Sequence, residues 1–192
     1  MKALLFPGQG VQKVGMIDFL LETNPETKDL FTQTSDVLDF DLFELVKNGP
    51  ENKLNLTEYA QPAILAASIA IAKNKASYFN ASITAGLSLG EYSALVFAEC
   101  IEFKEAIRLV NARGKLMQNA VPEGTAGMLV VLNMPLPDVR ETIIKIRNSG
   151  EVIDFSTDNA EGVSVLAGTN SAIDATIKYI EEGDFKRVKT QL

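Results

Sequence analysis

The stretch that most constrains this chain is Gly86-Leu87-Ser88-Leu89-Gly90, preceded by Ile83-Thr84-Ala85 and followed by Glu91-Tyr92-Ser93-Ala94-Leu95-Val96. Apolar residues lead into the first glycine and an amphipathic run follows the second, a pattern that predicts strand, sharp turn and helix. A serine at such a turn sits in strained backbone, with its hydroxyl exposed above the N-terminus of the new helix. Glycines suit the flanks because a side chain there would meet the neighbouring strand or helix. The same residues also fit a plainer arrangement, in which Ser88 caps a helix starting near Leu89. Nothing inside the pentapeptide separates a nucleophile elbow from a cap.

With 192 residues, the chain can bury the core of one ordinary domain or two small ones. Its 46% hydrophobic and 22% charged residues are the mix of a soluble globular protein, and a net charge of -7 argues against a nucleic-acid partner. Cys100 is the single cysteine, which excludes an intramolecular disulfide and a cysteine metal cluster. A cytoplasmic location is the default, because no signal peptide is visible at Met1-Lys2. The longest apolar stretch, around Ala63 to Ala72, is too short to span a bilayer, so no membrane association is expected. Histidine is absent altogether. A serine nucleophile normally needs a base for its hydroxyl proton, and imidazole is the usual one.

Ala3 to Phe6 reads as a strand entering Pro7-Gly8-Gln9-Gly10, a loop whose backbone N–H groups can face a ligand or merely turn the chain. Helices are expected over Val11–Leu21, over Pro25–Leu38 with Leu30, Phe31, Val37 and Leu38 buried, and over Leu42–Lys47, stopped by Asn48-Gly49-Pro50. Thr57 to Pro62 opens a buried alanine-rich helix over Ala63–Lys75. Tyr92–Ala98 and Phe103–Ala120 follow as helices, the second with Ile107, Val110, Leu116 and Met117 inward and Gly114 permitting a close contact. Val121 to Gly127 reads as a boundary. Beyond it come a strand (Met128–Leu132), a helix (Leu136–Asn148), two strands (Val152–Ser156 and Val163–Leu166) joined by a polar loop through Asp158-Asn159, a Ser171-capped helix to Glu182, and a strand over Phe185–Thr190. The order βαββαβ is the split βαβ, or ferredoxin-like, arrangement. The first part offers only two convincing strands among its helices, too few for a self-sufficient parallel sheet.

Several separated motifs, in order, resemble malonyl-CoA:acyl carrier protein transacylases. They are Phe6-Pro7-Gly8-Gln9-Gly10, Gly49-Pro50, Thr57 with Gln61-Pro62-Ala63, Gly86 to Leu95, Arg113-Gly114-Lys115-Leu116-Met117-Gln118 and Val121-Pro122-Glu123-Gly124. The resemblance implies an α/β fold: part of an α/β-hydrolase-like acyltransferase core over 1–124 and a ferredoxin-like subdomain over 125–192. It implies Ser88 as the nucleophile that takes malonyl from malonyl-CoA as an ester and yields it to a pantetheine thiol. The backbone N–H groups of Gln9 and Leu89 would form the oxyanion hole. Arg113 would pair with the malonyl carboxylate through its planar fork, and Gln61 and Asn159 would line the cleft. No metal or bound cofactor is implied.

Two departures from the family pattern matter. Leu87 stands where relatives often carry histidine, at a position that is not the general base. The family's catalytic histidine follows the last strand of the ferredoxin-like subdomain, and this sequence ends there, at Leu192. The expectation is therefore a piece of a longer enzyme, a truncated product or one half of a split pair, with very low activity alone. The other readings are a discrete polyketide-synthase acyltransferase and a non-catalytic carrier-binding fragment. Expected partners are acyl carrier protein, a coenzyme A thioester and a complementing C-terminal segment or chain. Lys186, Arg187 and Lys189 are a candidate basic patch for acidic partners, or simply a solvated strand edge.

Overall fold

The computed structural model of the chain describes residues 1–79, 81–122, 124–183 and 189–191, with the backbone alone for 76–79 and 189–191. Lys186 and Arg187 lie outside the described residues, as does the side chain of Lys189. The fold is α/β and divides into two units, Met1–Ala120 and Val121–Leu192.

The first unit runs β1 (Ala3–Phe6), α1 (Asp18–Leu21), α2 (Glu26–Ser35), α3 (Leu42–Asn48), α4 (Glu51–Leu54), α5 (Thr57–Phe79), β2 (Ile83–Gly86), α6 (Leu89–Phe97) and α7 (Phe103–Gln118). Its centre is α5. Every residue from 60 to 70 is buried, as expected of a helix that is apolar all round. Ile64, Leu65 and Ile69 of α5 pack with Phe31, Leu42, Leu54, Leu89 and Ile107. Each such large apolar side chain contributes roughly 1.5–3 kcal/mol on burial. Strands β1 and β2 pair in parallel, with Ala3 opposite Ile83 and Phe6 opposite Gly86. Phe6 and Leu4 face Ala72, Ala94 and Phe97, while Leu5 on the other face is 72% exposed.

Four expectations for this unit change. Only Asp18–Leu21 of the run 11–21 is helical, because Gly15, at φ 76°, donates its N–H to the Val46 carbonyl and draws the chain onto α3. The helix expected over Pro25–Leu38 stops at Ser35, leaving Val37 and Leu38 only partly buried. Helix α5 begins at Thr57 and continues through Pro62. Leu116 and Met117 do not face inward: they are 74% and 45% exposed. The buried stripe of α7 is Ala106, Ile107, Val110, Asn111 and Gly114, and Leu116 lies about 200° round the helix from Gly114.

The second unit runs β3 (Ala126–Leu132), α8 (Leu136–Asn148), β4 (Ile153–Ala160), β5 (Val163–Thr169), α9 (Asn170–Glu182) and β6 (Lys189–Gln191). Its strands are antiparallel in the order β4-β5-β3-β6, the ferredoxin-like arrangement. Leu129, Val131, Ile153 and Leu166 of the sheet pack on Val139, Ile143 and Ile146 of α8 and Ile173 and Ile180 of α9. The polar residues Asp158 and Asn159 belong to β4 rather than to a loop. The reversal falls instead at Glu161-Gly162, where Gly162 takes φ 71° and the two-residue turn closes a hairpin between Ala160 and Val163. Thr169, not Ser171, caps α9, accepting from the Ala172 N–H. Among the described residues no helix is long and apolar enough to cross a membrane.

Candidate functional site

Ser88 stands at the junction of β2 and α6 with φ 52° and ψ -108°. A non-glycine residue in that region is strained and persists only where the surroundings impose it. Three close approaches impose it here. A Cβ on Gly86 would fall on the Gly90 carbonyl group, and one on Gly90 would meet the carbonyl oxygens of Phe6 and Pro7. The loop after β1 lies against the turn as well, since a Cβ on Gly8 would come within 3.0 Å of the Leu87 carbonyl oxygen. Both glycines of the pentapeptide are therefore demanded by space. Ser88 makes no side-chain capping hydrogen bond to α6, so the cap alternative does not describe it.

The first turn of α6 leaves the Leu89 N–H without an intrahelical partner. In the opposing loop the Gln9 N–H is likewise unused among the described residues, while Gln9 Nε2 donates to Thr57 Oγ1 at 3.3 Å. Leu87 is 58% exposed beside the serine.

Arg113 reaches the serine from α7. Its Nη2 donates to Ser88 Oγ at 2.8 Å and its Nη1 donates to Gln61 Oε1 at 2.8 Å. Gln61, on α5, is fully buried, and its Nε2 donates to Met117 Sδ at 3.3 Å. Thioether sulfur accepts and cannot donate. The amide is thereby oriented with its oxygen toward the guanidinium. The Tyr92 ring lies 6.0 Å from Arg113 Cζ, within cation–π range.

The crossing of α5 and α7 sets this reach. Gly114 allows it, because a Cβ there would stand 2.7 Å from Glu58 Cα and from the Thr57 carbonyl oxygen. Pro62 has no N–H for the Glu58 carbonyl four residues earlier, and Asn111 Nδ2 donates to that carbonyl instead at 3.1 Å. Gln118 Oε1 accepts the otherwise open Thr57 N–H at 3.0 Å. Near this end of α5 the Tyr59 phenol is held above its ordinary 10.0, first by burial and then by the Glu58 carboxylate. It stays protonated at neutral pH and offers no base there.

Four of the expected site residues, Ser88, Leu89, Gln61 and Arg113, are thus joined in one cluster, with the Gln9 loop packed on it. Asn159 belongs to the second unit, where it is exposed and skipped by the strand ladder between Asp158 and Ala160. Sequence reasoning missed Asn111 and Gln12 and gave Gln118 no part, though each lies within a few residues of a motif already singled out. Among the described residues no three His, Cys, Asp or Glu side chains gather as a metal site.

Comparison with known proteins bears on this cluster. The chain is 44% identical over 191 residues to a malonyl CoA-acyl carrier protein transacylase of Haemophilus influenzae, and 38% identical over 186 residues to that of Bacillus subtilis. Each alignment covers 96% of this chain and 60% or 59% of the relative, so the chain spans about three fifths of their length. Among solved structures, a malonyl-transacylase in complex with a type II PKS acyl-carrier protein superposes with a TM-score of 0.88 at 41% identity. That match covers 98% of this chain and 62% of the other. An acyl carrier protein S-malonyltransferase from Vibrio cholerae gives 0.86 at 40% identity, covering 99% and 62%. The acyl transferase domain profile matches residues 3–191. With nearly its whole length so matched, the chain belongs to the acyl transferase domain family.

Proposed function

We propose that this chain carries the acyl-accepting half of a malonyl transfer from coenzyme A to the pantetheine thiol of an acyl carrier protein. The observation that carries this reading is the guanidinium of Arg113 on the Ser88 hydroxyl. A fixed cation beside the serine suits an acyl group that itself carries a negative charge. A dicarboxylic acyl group brings a free carboxylate that a guanidinium binds through two parallel hydrogen bonds.

In this reading Ser88 Oγ attacks the thioester carbonyl carbon. The carbonyl oxygen takes up negative charge and is held by the Gln9 and Leu89 N–H groups, a pair of donors worth several kcal/mol at about 3–4 each. Collapse breaks the C–S bond, coenzyme A leaves as thiolate and takes a proton, and a malonyl ester remains on Ser88. The carrier's pantetheine thiol then attacks the ester and regenerates the hydroxyl. Gln61 holds Arg113 in place. The carrier serves fatty acid or polyketide synthesis.

These 192 residues contain no histidine, so within this reading the Ser88 proton passes to water or to a group outside them. The second reading is that the chain holds a carrier protein without transferring an acyl group. Intact-mass measurement after incubation with malonyl-CoA separates the two. A malonyl adduct on the parent chain and none on Ser88→Ala supports transfer; a folded parent without adduct sinks it for the chain alone.

A further inference from the structure

Gln12 lies in the turns after β1, outside every role given so far. Its Oε1 accepts the Gly10 N–H at 2.8 Å, and its Nε2 donates to Asn55 Oδ1 at 2.9 Å. Asn55 is itself fixed, because its N–H closes α4 on the Glu51 carbonyl at 2.9 Å. Gly10 has φ 111° with nothing within 4 Å of a Cβ, so backbone conformation and not space requires glycine there. In that conformation two successive N–H groups, of Gln9 and Gly10, are available to the loop. Gln12 takes up the second and leaves the first open among the described residues.

We propose that Gln12 is a positioning residue: it consumes the Gly10 N–H, ties the loop to Asn55, and so fixes the direction of the Gln9 N–H toward the Ser88 turn. This rests on the acyl-transfer reading, in which the Gln9 N–H holds the oxyanion. Gln12 touches no reacting atom. Without it the side-chain bond that holds the loop among the described residues is the longer one from Gln9 Nε2 to Thr57 Oγ1, 3.3 Å. Donors aimed at developing charge lose most of their effect when displaced by about 1 Å, on the order of 100-fold in rate.

The test compares the full chain with Gln12→Met, which keeps the side-chain length and loses both bonds. A second variant, Asn55→Asp, keeps an acceptor for Gln12 Nε2. Amide resonances of Gly10 and Gln9 are followed in ¹⁵N–¹H spectra, and malonyl adduct formation on Ser88 is timed by intact mass across malonyl-CoA concentrations. In Gln12→Met the Gly10 proton moves upfield and Gln9 shifts with it, while α5 amides stay in place. The saturating acylation rate falls about 10- to 100-fold at an unchanged half-saturating concentration. Asn55→Asp stays close to the parent in both readouts. Unmoved Gly10 and Gln9 resonances in Gln12→Met overturn the proposal. So does an unchanged acylation rate despite moved resonances. Should the parent form no adduct, the transfer reading fails by itself, and the Gln9 resonance alone still decides whether Gln12 sets the loop.

Discussion

Gly114 of α7 passes Glu58 of α5 so closely that a methyl group on the glycine would stand 2.7 Å from the Glu58 Cα. The residue before it, Arg113, is the one that reaches Ser88. Close helix approach and guanidinium placement are therefore one feature. Gly114→Ala should gain about 1 kcal/mol in helix propensity and lose about 1–3 kcal/mol to overpacking against backbone that cannot turn aside. The net outcome is a lower urea midpoint at unchanged slope, accompanied by slower malonyl adduct formation. A variant more stable than the parent would show that the crossing relaxes freely.

Pro62 and Asn111 make a compensating pair. The proline withholds an N–H from the Glu58 carbonyl, and the asparagine supplies one from another helix. Asn111→Leu should cost about 1–3 kcal/mol by leaving that carbonyl unpaired. Pro62→Ala restores an intrahelical donor, so it should recover most of the loss in the Asn111→Leu background and change much less in the parent. Denaturant titration of the four proteins gives the cycle. Strict additivity would mean that the two residues do not share the carbonyl.

The elbow was legible in the sequence because its glycines answer to local sterics: strand end, turn and helix start lie within a few residues. The ferredoxin-like order was legible for a similar reason, since each strand and helix there carries its own period. Position along α7 was less so. Leu116 and Met117 are apolar and sit beside the arginine, which drew them to the inner face, yet the stripe that α5 accepts runs through Asn111 and Gly114. Beside Arg113 a small residue and a polar one carry that contact, so hydrophobicity pointed the wrong way there, while Ile107 and Val110 are buried as expected. Gln12 escaped notice and Gln118 was given no part because a glutamine that satisfies a backbone N–H has no sequence period. Gly15 shows the same limit: its bond to Val46 crosses two helices and cut short a run that looks helical.

The absence of histidine from these 192 residues has a signature in the pH dependence. If a histidine took the Ser88 proton, the acylation rate would rise with pH and level off above about 6.5. In this chain Tyr59 stays neutral, its phenol being raised above 10.0, and no histidine is present. The rate of adduct formation should thus climb steadily from pH 6 to about 8.5, close to tenfold per unit, as hydroxide takes over the proton. A plateau near 7 in the isolated chain would point to a base that the cluster around Ser88 does not supply.

On the acyl-transfer proposal, Arg113 is the residue expected to set which acyl group the serine prefers. Its fork already offers two nitrogens, one to Ser88 and one to Gln61, and an arriving carboxylate would displace the hydroxyl while Gln61 keeps the plane oriented. A charge-assisted pair of this kind contributes about 1.5–3 kcal/mol, or about 10- to 100-fold in the ratio of malonyl to acetyl adduct. Arg113→Gln should lose that ratio while leaving acetyl-CoA reactivity level or raised, because removing the cation uncovers the hydroxyl. Arg113→Lys should recover only part of it, since a point charge cannot serve Gln61 and a carboxylate in one plane. Competing malonyl-CoA against acetyl-CoA, with both adducts read by mass, measures the ratio directly. An Arg113→Gln chain that still prefers malonyl by the parental margin would place the carboxylate elsewhere.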